Sequence, residues 1–262
     1  MKKKATLILC FLALFYVAQA HEFWLAFQKF MVNVGDAVPI SFLVGEDFNG
    51  ETWEGKMASF YLYNEKGKQN IADIFPAKPE EKTTLTFKSE GTHLLAFNSQ
   101  NKLIELEPDK FLAYLEEDGL TEVIEMRKKC NETTKKGRES YQRCAKALVQ
   151  VGGKTDNTFN TIAKHNLELL PEQNPYQLQA GDKLAFKLLF KNKVLPNTLV
   201  KIWHKNEGKL KKSEQRTDSK GIISFEMEKQ GEYMVSAVQM IPHKIAKEAD
   251  WQSYWASFTF GF

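Results

Sequence analysis

The sequence predicts a mostly β protein, with two immunoglobulin-like β-sandwich domains joined by a short helical connector. Three observations carry this reading. Short runs rich in β-branched and aromatic residues recur near both ends of the chain, about ten residues apart as in a sandwich. Pairs such as Gly35-Asp36, Lys66-Gly67 and Glu90-Gly91 punctuate them. Between the two β-rich parts, apolar residues instead recur at helical spacing.

The first 20 residues read as a cleavable signal peptide. Lys2, Lys3 and Lys4 precede an apolar stretch over 7–17, and Ala18-Gln19-Ala20 is a small-x-small cleavage site. The apolar stretch is shorter than the ~20 residues a membrane-spanning helix needs. No second run of that kind follows, so the processed chain is not expected to be an integral membrane protein. Leu9 before Cys10 argues against a lipid-anchored cysteine. Removing these 20 of 262 residues leaves 242 and takes three Lys and no acid, so a formal charge of +3 falls to zero. A neutral, mixed-charge surface gives no reason to expect a nucleic-acid partner. The expected location is the periplasm.

Residues 21–107 form the first predicted sandwich, with strands at 38–44, 58–63, 83–87 and 92–97. Residues 108–147 form the connector. Pro108-Asp109 starts a helix, Gly119 divides it, and a further helix is expected around 139–148. Processing leaves two cysteines, Cys130 and Cys144, which in an oxidising compartment are expected to form a disulfide. Closing a loop of about 15 residues is worth roughly 3 kcal/mol in the chain-entropy model. Residues 148–262 form the second sandwich, with strands at 182–190, 198–203, 217–225 and 231–238. A Thr217-Asp218-x-x-Gly221 turn and an alternating aromatic end at Phe258, Phe260 and Phe262 belong to it.

Several segments together resemble a family of exported bacterial proteins described as NikM-type nickel or cobalt uptake components. They are His21-Glu22-Phe23-Trp24-Leu25 and Val44-Gly45-Glu46-Asp47-Phe48, then Gly91-Thr92-His93-Leu94-Leu95 and Arg138-Glu139-Ser140-Tyr141-Gln142-Arg143 running into 145–152. Asn174-Pro175-Tyr176, Ala180-Gly181-Asp182 and the stretch 249–258 complete the match over the mature chain. The resemblance implies a periplasmic protein of unknown function with a transition-metal connection, and it does not imply an enzyme.

The residues themselves point the same way. Cleavage after Ala20 would give His21 a free α-amine beside its imidazole, a nitrogen chelate suited to Cu(II) or Ni(II). A second ligand is sought among His93, His204 and His243, with Glu22 or Asp47 as oxygen donors. His93 is preferred because it falls in the same predicted sandwich. His165 lies in a polar connection. The Arg138, Glu139, Tyr141 and Arg143 motif reads as ion pairing and packing, with an anion site as the alternative. Lys209, Lys211, Lys212, Arg216 and Lys220 read as a solvated basic hairpin. No nucleophile elbow, H-E-x-x-H pair or phosphate loop is present.

The expected function is therefore a non-enzymatic periplasmic protein that binds or delivers nickel, cobalt or copper, using His21 and His93. Its expected partner is a transporter component of the envelope. The alternatives are an interaction module without metal and a copper-dependent oxidase built on the His21 chelate.

Overall fold

A computed structural model describes residues 21–75 and 83–262. The leader over 1–20, with Cys10, lies outside the described residues. The chain begins with β1 (Glu22–Phe27), β2 (Met31–Val32), β3 (Ala37–Glu46) and β4 (Asn49–Thr52). It continues through β5 (Met57–Asn64), β6 (Gly67–Asn70), β7 (Thr83–Thr86), β8 (Gly91–Ser99) and β9 (Lys102–Leu106). Two helices follow, α1 (Pro108–Glu117) and α2 (Thr121–Lys129). The second half carries β10 (Gly137–Val151), β11 (Leu167–Pro171), β12 (Lys183–Phe190), β13 (Lys193–Val194) and β14 (Leu199–Asn206). The last strands are β15 (Lys209–Arg216), β16 (Ile222–Glu226), β17 (Glu232–Pro242) and β18 (Trp251–Gly261).

These strands form three sheets. One large sheet runs in the order β15-β14-β17-β18-β10-β8-β5-β6, and β2 and β9 also pair with β10. Four strands from the first half (β1, β3, β4, β7) make a second sheet, and four from the second half (β11, β12, β13, β16) a third. The mostly β, multi-sheet architecture matches the sequence expectation, as do the runs read at 38–44, 58–63, 83–87 and 92–97. Gly119, at φ +63°, ends α1 as expected. The Asp218 turn also forms. Its Oδ1 accepts from the Lys220 and Ile222 amides, and Gly221 completes the reversal at φ +72°.

The boundaries at 107 and 148 do not divide the sheets. β10 pairs antiparallel with β8 and parallel with β18, so strands from both halves share the large sheet. Its side chains alternate between the two faces. Ala145, Ala147, Val149 and Val151 pack with Leu25, Ile40, Phe60 and Phe97 under the second sheet. Leu148 packs on the other face with Phe186, Leu188, Phe258 and Phe260 under the third. Two cores therefore lie on opposite faces of one sheet. Phe111, Leu115 and Val123 of the helices pack with Val238, Met240, Trp251 and Trp255 in a separate cluster.

Two expectations are corrected here. The helix expected over 139–148 is part of β10. A strand buried on both faces has no polar face, so it loses the alternation that marks a strand. The disulfide does not form either: Cys130 caps the end of α2 and is exposed, Cys144 is buried, and both are free thiols. A helix would have folded Cys144 back toward the loop. Instead, seven residues of strand carry it roughly 20 Å from Gly137, whereas bridged Cα atoms lie under about 7 Å apart. Burial pushes the Cys144 thiol up to about 12.

Where β10 starts, a methyl group on Gly137 would overlap the Phe111 ring of α1. Gly137→Ala is therefore expected to cost about 1–3 kcal/mol through overpacking, read as a lower midpoint in urea unfolding. An unchanged midpoint would mean that α1 can retreat from the sheet.

Candidate functional site

The antiparallel register of β1 with β3 pairs Glu22 with Gly45. It thereby sets His21 opposite Glu46 at the open end of the second sheet. His21 Nδ1 lies 3.3 Å from Glu46 Oε1, with the side chains 37% and 41% exposed. The Nδ1 atom itself is shielded and makes no hydrogen bond. The backbone is fixed where the side chain is open: the His21 carbonyl accepts from Arg143 Nη1 at 2.9 Å. The Arg143 guanidinium in turn lies over the rings of Phe23 and Tyr141. An imidazole nitrogen beside a carboxylate, on an anchored strand end, can accept a cation.

Strand alternation turns Glu22 inward, away from that pair. Its carboxylate is buried, 3.6 Å from Lys201 Nζ. The same ammonium donates to Asp118 Oδ1 at 2.8 Å and lies 3.9 Å from Glu117. One cation thus faces three carboxyl groups. Burial raises the pKa of Glu22 and pushes Asp118 up to about 7, opposed in both cases by Lys201. The surrounding acids keep the Lys201 ammonium charged against its burial. A cavity of about 10 Å³ lies between these groups, Ser236, Ser257 and Trp255, the size of a single water.

Glu139 is also buried. It accepts from Tyr114 Oη at 3.1 Å and from Ser253 Oγ, and Trp255 Nε1 donates to the same Ser253 hydroxyl at 3.1 Å. Burial raises the pKa of Glu139. Arg138 is held by both oxygens of Asp250 and by the Ala246 carbonyl. Arg138 is thus fully engaged, whereas Arg143 donates Nη1 to the His21 carbonyl and keeps a buried Nε without a hydrogen bond among the described residues.

The other histidines are dispersed. His93 is 1% exposed, has its Nε2 2.9 Å from the Ser89 carbonyl and packs edge-on to Phe87. Burial lowers its pKa. His93 pairs with Val149 on β10, six residues beyond Arg143, so His21 and His93 stand on the order of 20 Å apart. The structure does not bring together the pair expected from sequence. His165 is buried, and burial with nearby Lys146 and Lys68 pushes it down to about 3. His204 stacks on Tyr233 and contacts the Gln230 carbonyl through Nε2. His243 is engaged with Ile245 in an exposed turn. Asp47 pairs with Lys212, and Lys211 pairs with Glu228, so two of the five basic residues of that hairpin are neutralised.

Among the described residues no group of three or more His, Cys, Asp or Glu side chains is placed to hold a metal. Glu46 was not singled out from the sequence. Only the pairing of β1 with β3 reveals it, and the 44–48 turn segment was the one sequence signal near it. No described helix is long and apolar enough to cross a membrane.

A family model described as a domain of unknown function (DUF4198) matches residues 18–241. No curated protein matches the chain. Among solved structures, it is similar to a tetra-tandem repeat in the extending region of a large adhesion protein. That match has 11% identity and a TM-score of 0.21, and covers 92% of this chain and 49% of the other. It is also similar to dimeric latent PorU from Porphyromonas gingivalis, at 10% identity and TM-score 0.19, covering 88% and 20% of the two chains. The chain thus spans about half of the first and a fifth of the second.

Proposed function

We propose, from the premise that this chain belongs to the DUF4198 family of unknown function, that it is an exported, non-enzymatic protein binding a divalent transition metal at its processed N-terminus. The observation that carries this is the His21 Nδ1, which lies 3.3 Å from Glu46 Oε1 and makes no hydrogen bond among the described residues. In a chain cleaved after Ala20, the new α-amine and Nδ1 of the same residue can close one chelate ring. The carboxylate then adds an oxygen donor and a negative charge. Two nitrogens and one oxygen suit Cu(II), Ni(II) or Co(II). His93 has no part in this site. Three donors on one open edge leave coordination positions for a delivering or receiving partner, which fits an accessory to nickel or cobalt uptake in the periplasm.

The test is calorimetry and EPR with Cu(II), Ni(II) and Co(II) on protein beginning at His21. One equivalent is expected to bind. An added N-terminal Met should weaken binding by about a hundredfold, and Glu46→Gln by about tenfold, while His93→Ala leaves it unchanged. Equal binding by the Met-extended protein would remove the basis of the proposal. Oxygen consumption by the copper-loaded protein would replace it with the oxidase reading, and absence of binding with an interaction module.

A further inference from the structure

Two lysines of the β14–β15 hairpin turn back onto the end of the second sheet that carries Glu46. Asp47 and Phe48, which join β3 to β4, both take positive φ, +54° and +55°. This is the pattern of a type I′ turn, which favours Asn-Gly and is costly for a residue as bulky as phenylalanine. The turn is also tight, since a methyl group on Gly45 would overlap the Asn49 carbonyl. Contacts from outside hold it. The Phe48 ring is buried against Trp24, with ring centroids 5.4 Å apart, in a cluster with Trp203 and Met234. Lys205 Nζ donates to the Phe48 carbonyl at 3.1 Å and to Asn49 Oδ1 at 3.0 Å. Lys212 Nζ pairs with Asp47 and lies over the Trp203 ring at 4.7 Å. Glu46 directly precedes the turn and pairs with Asn49 in the last rung of the β3–β4 ladder.

Bulky residues persist in left-handed backbone only where the surroundings over-determine them, and such places cluster at functional sites. We infer that Lys205 and Lys212 are positioning residues for the His21 site: they clamp the 46–49 turn and so keep Glu46 opposite His21. Without the clamp the turn widens, the last rung opens and the carboxylate leaves the imidazole. The hairpin thus sets, from the second half of the chain, how tightly the N-terminus holds its metal. The consequence for metal rests on the function proposed above; the clamp on the turn does not.

The test compares the parent, Lys205→Met/Lys212→Met, and that double variant with Asp47→Gly added, which relieves the positive φ at position 47. In metal-free protein, hydrogen exchange at the 46–50 amides should be about tenfold faster in the double variant. Exchange along the β17–β18 ladder should stay the same, which shows that the fold is kept. With Cu(II), the double variant should bind about tenfold more weakly and give a changed EPR spectrum. Asp47→Gly should restore part of both the exchange protection and the affinity. Unchanged exchange at 46–50, or equal Cu(II) affinity despite faster exchange, would overturn the inference. A parent that binds no Cu(II) would remove the metal reading, and the exchange comparison would still decide the clamp.

Discussion

Lys146→Met is expected to destabilise the protein by about 3–5 kcal/mol, the usual result of leaving one member of a buried ion pair behind. Lys146 and Glu168 are each 1% exposed, with Nζ 2.7 Å from Oε1. The ammonium also donates to the Thr161 and Leu169 carbonyls at 3.1 and 3.3 Å. Glu168 accepts from the Ala163 and Lys164 amides. Replacing the lysine strips these groups of their shared donor while the carboxylate stays out of water. Lys146→Met/Glu168→Gln removes the stranded charge and keeps an acceptor for the 163–164 amides. It should therefore recover about 1–3 kcal/mol of the loss, read as a coupling energy in a double-mutant cycle of urea denaturation. A single variant within about 0.5 kcal/mol of the parent would show that water reaches the pair.

Lys201→Met should cost a similar amount, about 3–5 kcal/mol near pH 8, with a pH dependence that identifies its cause. In the parent, burial pushes the folded Asp118 carboxyl from its ordinary value of 3.8 up to about 7, against the pull of Lys201. The native state therefore holds a proton that the unfolded chain releases. Stability should fall as pH rises from about 4 to about 7 and level off above that, as far as this group is concerned. Without the Lys201 ammonium, Glu22 and Asp118 lose the cation that opposes their burial, and their carboxyls hold protons to higher pH. The decline should then be steeper and continue past neutrality, while the variant's deficit shrinks near pH 5. Asp118→Asn should flatten the parent profile. Thermal midpoints between pH 4 and 9 for all three proteins decide it, and parallel profiles would exclude this cluster as the source.

Much of the β architecture was legible because β3, β5 and β12 each bury one face more than the other; β8, buried on both faces, was legible only from its apolar run after the Glu90-Gly91 turn. The same rule failed at β10, where both faces are buried and the alternation disappears. With the strand misread as a helix, Cys144 was placed near Cys130, and the separation into two sandwiches followed. The candidate site was half legible. The chemistry of His21 can be read from one residue and its cleavage site, but Glu46 becomes its neighbour only through the β1–β3 register. Lys146 and Lys201 gave no signal, since a lysine within a strand reads as exposed until its distant carboxylate is known.

The pairing of β10 with β18 also constrains how the molecule can reach its native state. Arg138 and Asp250, 112 positions apart, are bonded where that parallel ladder begins. A parallel contact across so long a separation must close a large loop before it returns any free energy, which slows folding. Until β18 arrives, one edge of β10 lacks its main partner and Phe258 and Phe260 are missing from the core beneath the third sheet. The large sheet is therefore expected to stay incomplete, with an open strand edge, until the last strand docks.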